Sequence, residues 1–142
     1  MMELTRWFTS LREARARTEH LRRGRLGEKA ARGHLRRLGL KFLTANFRGR
    51  GETDLVFRDG ETLVFVEVKT RSHEVWIRPA RAVDGRKQRL LTQTALDYLR
   101  MLKEPDMNVR FDIVEVLLSD GRVREVRHLP NTFRMSPPYR YH

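Results

Sequence analysis

Residues 51–71 read GETDLVFRDGETLVFVEVKTR. Two apolar runs flank Asp59-Gly60, and an Asp-Gly pair in that setting predicts a tight antiparallel hairpin, because the turn demands positive φ that these residues tolerate. The expected strands are Glu52 to Phe57 and Thr62 to Lys69. If Asp59 and Gly60 are the two loop residues, Arg58 pairs with Glu61, Asp54 lies opposite Phe65, and Glu52 lies opposite Glu67. Asp54 and Glu67 then become diagonal neighbours on one face, roughly 7–8 Å apart at the backbone.

Alternation along the second strand puts Leu63, Phe65, Glu67 and Lys69 on the same face, so two charges continue a row that begins as core. Such a break in a buried pattern is expected where function demands it. An isolated Glu-Val-Lys triplet reads more often as a solvated salt bridge. Asp54 in register and the apolar flanks shift the balance toward a site.

Working outward, Leu26, Ala30, Ala31, Leu35 and Leu38 have helical spacing and Gly39 is a natural stop, which predicts a helix from Leu26 to Leu38. Lys41 to Phe47 reads as a strand preceding the hairpin. After a mixed basic and aromatic loop, Ser72 to Val83, a helix is expected from Asp84, its N-cap, to about Lys103. Leu91, Ala95, Tyr98, Leu99 and Leu102 form its buried face. Pro105 breaks the chain. Val109 to Leu118 follows as a long apolar strand, then a turn at Asp120-Gly121 and a short strand around Val123 to Leu129. The order predicts an α/β fold with an α-β-β-β-α-β core, its mixed central sheet flanked by helices. The strand after the second helix returns parallel through the crossover. The domain spans residues 26–130, between a basic arm, residues 1–25, and a loosely ordered tail, residues 131–142. Trp7, Phe8 and Leu11 are expected to pin the arm to the body.

At 142 residues the chain suits one domain that buries its own core. Its apolar runs fall far short of a membrane span. Cysteine is absent, which removes disulfides and thiolate ligands and fits a reducing, cytoplasmic setting. The net charge is +12, and residues 1–37 hold 11 Lys or Arg against 4 Glu, so most of the charge lies at the front. A field of that sign attracts a polyanion, and nucleic acid is the leading partner.

Two carboxylates, Asp54 and Glu67, with the Val68 carbonyl and water suit Mg²⁺ or Mn²⁺, hard ions that prefer oxygen. His20, His34, His73, His128 and His142 show no ligand spacing. Such an ion would act as a Lewis acid on a phosphate, while Lys69 would orient or deprotonate the attacking water and offset charge on phosphorus. The expected reaction is phosphodiester hydrolysis. Arg48, Arg50, Arg71, Arg78, Arg81 and Lys87 surround the site in sequence with Trp76 among them. Arg48, Arg71 and Lys87 are the candidate nucleic-acid contacts.

GETDLVFRDGETLVFVEVKTR resembles the PD-(D/E)xK nuclease superfamily. Together with GEKAA, NFRGRGETDLV and RFDIVEV, it is more narrowly similar to the uncharacterised YraN-like group, itself similar to archaeal Holliday-junction resolvases. Thr53-Asp54 stands where the superfamily name implies Pro-Asp. The resemblance covers about Gly24 to Leu129. It implies a restriction-endonuclease-like fold, a divalent metal and DNA as substrate, branched or damaged DNA included. It also maps Glu28 onto the acidic residue of the first helix, which either leans toward the metal's ligands or serves the helix N-terminus. Cutting a junction requires two active sites, hence a homodimer. A non-catalytic nucleic-acid-binding or adaptor protein that keeps the fold is the alternative. A scaffold for an acidic protein partner is a third.

Overall fold

The computed structural model describes residues 2–72, 83–103 and 106–135. Its elements are helix α1 (Met2–Arg37), strands β1 (Lys41–Arg48), β2 (Glu52–Asp59) and β3 (Thr62–Ser72), helix α2 (Gly85–Leu102), and strands β4 (Asn108–Ser119) and β5 (Arg122–Phe133). The five strands form one sheet in the order β1-β2-β3-β4-β5, antiparallel except for the parallel β3–β4 pair. The expected mixed sheet flanked by helices is therefore observed, with α2 as the crossover.

The hairpin register differs from expectation by two residues. Asp59 pairs with Thr62 and Leu55 with Val66, so Gly60 and Glu61 make the turn and Phe65 faces Val56, not Asp54. The reason lies in the backbone: Gly60 takes φ +59° while Asp59 and Glu61 do not enter the left-handed region. A turn with positive φ at its first central residue alone needs glycine there, and Asp59 is left free to end the strand. A shift of two preserves each side chain's face but changes its partner.

Alternating faces of the sheet bury two cores. Leu55, Phe57, Val64, Val66, Val114 and Val116 pack with Ala31 and Leu35 of α1. Val56, Leu63, Phe65, Phe111 and Ile113 pack with Leu91, Ala95, Tyr98 and Leu99 of α2. Strand β3 contributes to both and is nearly continuous in apolar residues, as a central strand covered on each side must be. Leu38 and Leu102, expected in the helix faces, are exposed at the helix ends, and Leu40 is buried in place of Leu38.

Helix α1 ends where Leu40 N–H closes on Leu35 C=O past Gly39. At its other end α1 does not stop at residue 25: the basic segment continues it as one helix of 36 residues. Arg, Glu, Ala and Leu dominate that segment, and all are good helix formers. Trp7 and Phe8 remain 57% and 55% exposed, so they do not pin the arm to the body; they meet each other edge-on. A straight helix cannot turn that stripe back to the sheet, because the body-facing line of α1 (Gly27, Ala31, Leu35) lies on a different side of the cylinder. The start of the tail, residues 131–133, is ordered, contrary to expectation. Strand β5 runs through Phe133, whose ring stacks on Phe111 at 4.6 Å.

Candidate metal and nucleic-acid site

Beyond Leu55–Val66 the pairing of β2 with β3 ends, although β2 continues against β1 and β3 against β4. One further step in register sets Asp54 opposite Glu67. The Asp54 side chain takes over from the lost ladder: its Oδ2 accepts the Val68 N–H at 2.7 Å. The expected diagonal approach is thus replaced by a direct one, and directly opposed side chains lie closer than diagonal ones. Lys69 follows on the same face, with Nζ 3.4 Å from Glu67 Oε1.

Burial and the neighbouring Glu67 charge push the Asp54 carboxyl up to about 7; the Val68 N–H opposes them, Glu28 adds to the rise and Lys87 opposes it. Burial depresses the Lys69 ammonium, which Glu67 resists and Lys87 reinforces. A carboxyl and an amine half-withdrawn from water, each moved toward neutral pH, are what a proton-transfer site requires.

Lys87 does something the sequence did not indicate. Asp84 caps α2 by accepting the Lys87 N–H at 2.9 Å, which fixes the first turn over β3. From there Lys87 Nζ reaches Glu67 Oε1 at 2.6 Å. Burial works against its charge, but the hydrogen bond and charge of Glu67 prevail and raise the Lys87 ammonium. An amine expected on phosphate is here the counter-ion of Glu67.

Glu28 stands on α1 with its carboxyl pushed up by burial, against a hydrogen bond from Asn46, and with Glu52 adding to the rise. It reaches Asp54 through its charge. Arg48 is exposed at the end of β1. Arg50 is committed elsewhere: its backbone N–H and guanidinium bind Asp97 at 2.7 and 3.0 Å and tie the β1–β2 turn to α2. Arg71 lies partly buried two residues beyond Lys69. His73, Trp76, Arg78 and Arg81 lie outside the described residues, as does Pro105.

Glu115 was missed. The triplet Val-Glu-Val occurs at 66–68 and again at 114–116, and the parallel pairing sets Lys69 beside Glu115. Glu115 is fully buried; one oxygen is held by Arg127 from β5, and Oε1 finds no hydrogen-bond partner among the described residues. Its signal was a carboxylate inside the apolar run Ile113–Leu118, the same break that marked Glu67.

The fold and this site define a three-layer α/β protein whose central strands part around an acidic pair. The chain belongs to the uncharacterised protein family UPF0102, the YraN-like group, whose model matches residues 27–116. It is 43% identical to a UPF0102 protein of Porphyromonas gingivalis over 117 residues, 81% of this chain and 86% of that protein. It is 41% identical to one of Geobacter metallireducens over 114 residues, covering 80% and 93% respectively. A UPF0102 protein of Pelotomaculum thermopropionicum matches at 39% identity, over 78% of this chain and 93% of the relative. The matched segment contains Glu28, Asp54, Glu67, Lys69, Lys87 and Glu115. No helix among the described residues is long and apolar enough to cross a membrane.

Proposed function

We propose that the protein is a divalent-metal-dependent endonuclease that hydrolyses DNA phosphodiester bonds, as its resemblance to PD-(D/E)xK nucleases implies. The observation that carries this reading is the meeting of Asp54 and Glu67 across parting strands with Lys69 beside them. Two carboxylates forced together at the cost of an Asp54 pKa near 7 form a site that a cation relieves.

The donors fit a hard ion in kind. Asp54, Glu67 and the Val68 carbonyl offer only oxygen, which suits Mg²⁺ or Mn²⁺. No group of three His, Cys, Asp or Glu gathers among the described residues, so water and phosphate would complete the shell, as is usual for Mg²⁺. When bound, the ion supplies Lewis acidity toward phosphate and makes water easier to deprotonate. Lys69, its ammonium depressed, is placed to take a proton at Nζ or to offset developing charge on the phosphate. Lys87 on Glu67 Oε1 competes with a cation for that oxygen, and when displaced its Nζ suits phosphate oxygens. Glu28 adds negative charge behind Asp54.

One observation favours the alternative of a non-catalytic DNA-binding or adaptor protein. Lys87 already supplies a positive charge to Glu67, which is how a site that has given up its metal would be closed. Cleavage of linear, forked and four-way DNA with Mg²⁺ or Mn²⁺ decides between them. The nuclease reading expects activity in the wild type and loss of about a hundredfold or more in Glu67→Ala and Lys69→Ala. Equal activity in all three proteins sinks it.

A further inference from the structure

The body-facing line of α1 runs Gly27, Ala31, Leu35, and continuing it toward the N-terminus by one and two turns brings Gly24 and His20 past the sheet. The contact that sets this direction is close. A Cβ on Gly27 would lie 2.0 Å from Thr70 Oγ1, so only glycine lets the helix rest against β3 there. Around Gly24, by contrast, there is open space. A cavity of about 540 Å³ fills it, with His20, Arg23 and Gly24 on one wall and Lys69, Thr70 and Arg71 on the other.

Three features of this cavity point to a phosphate backbone. Its charged lining groups, Arg23, Lys69 and Arg71, are all cations, and no carboxylate is among the described lining residues. The Nε of Arg71, a residue that lines the cavity, is buried and has no acceptor among the described residues, a donor left unmet beside the cleft. Lys69 lines this cavity and also carries its Nζ to Glu67, so an occupant lies one residue of β3 away from the acidic pair. The volume suits a nucleotide unit better than a lone anion.

We propose that the cleft between α1 and the C-terminal end of β3 holds the DNA backbone next to the scissile phosphate, with Arg23 and Arg71 as its phosphate contacts. The assignment rests on the nuclease reading for what lies beyond Lys69. It gives the extended α1 a role as one wall of the substrate channel, with its Arg-rich continuation running along the same strand.

The test is fluorescence anisotropy with a labelled DNA duplex carrying a single-stranded end, in EDTA without metal, over a series of NaCl concentrations. Arg23→Ala and Arg71→Ala are each expected to lower the slope of log affinity against log salt by about one, and the pair by about two. Arg71→Lys should restore most of the slope. Arg124→Ala, on the exposed part of β5, should match the wild type. Arg23 lies on a partly exposed helix face, so its variant reads the cleft even if Arg71→Ala fails to fold. Wild-type affinity and slope in Arg23→Ala and in the pair overturn the proposal, as does an absence of DNA binding by the wild type. Binding through the cleft with no cleavage of any substrate removes the nuclease reading and leaves the cleft. Cleavage with unchanged slopes does the reverse.

Discussion

Two carboxylates on the same sheet, buried Asp112 on β4 and half-buried Asp54 on β2, have opposite surroundings. Asp112 is saturated. It accepts from Arg110 at 2.9 and 3.1 Å, from the Asn131 N–H at 2.9 Å, and meets His128 Nε2 at 2.7 Å. Burial works against its charge, yet His128, Arg110 and the Asn131 N–H hold its carboxyl below the usual range. Asp54 has the Val68 N–H and a facing Glu67, and its carboxyl rises to about 7. A buried acid with all its donors is cement; one deprived of them beside a second acid stores a demand for positive charge.

The largest expected effect tests the saturated side. Asp112→Ala leaves Arg110 and His128 without their shared acceptor and should cost about 3–5 kcal/mol in denaturant melts. Its pH signature follows from a depressed carboxyl. The stabilisation is present above the unfolded pKa near 4 and is lost as pH falls through the lower folded value. The gap between wild type and Asp112→Ala should therefore narrow in acid; a gap independent of pH would show that the charge of Asp112 is not what binds β5 to β4.

Asp54→Asn should act in the other direction. A raised carboxyl destabilises the fold as pH climbs from about 4 through about 7, because the folded state resists ionisation that the unfolded chain accepts. Without metal, the Asn variant should be more stable than wild type by about 1–2 kcal/mol at pH 8 and equal to it near pH 4. The same substitution should abolish any rise in melting temperature produced by Mn²⁺ in the wild type, a rise expected to be greater at pH 8 than at pH 5. A less stable Asn variant at pH 8 would break the contrast with Asp112.

The smallest effect concerns Lys87. Removing the amine that occupies Glu67 Oε1 should let a divalent cation compete more easily, so Lys87→Met is expected to tighten Mn²⁺ binding by about twofold to fivefold in calorimetry. Weaker binding would mean that Lys87 helps to assemble the site instead of closing it.

Most of the architecture was legible because its signals are local. Short apolar runs on either side of Asp59-Gly60 mark β2 and β3, the 3.6-residue period marks the buried part of α1 and α2, and Asp84 announces the helix start that the structure shows. The two-residue error in the hairpin arose because Asp-Gly specifies a turn but not which of its neighbours completes it. Asp112, Glu115, Arg127 and His128 could not be assigned to one another, since their contacts join β4 to β5 across a turn and depend on a register that sequence only approximates.

By itself, the sequence determined that Asp54, Glu67 and Lys69 share one face of a hairpin. That follows from a period of two, which survives a shift of register by two. Only the tertiary structure decided that Asp54 meets Glu67 directly, that the strands part there, and that α2 sends Lys87 into the gap. It alone carried α1 past the sheet to wall a basic cleft. Faces are fixed by the covalent geometry of the chain, whereas partners depend on how separately formed elements pack. A carboxylate's pKa, and hence its use, depends on those partners.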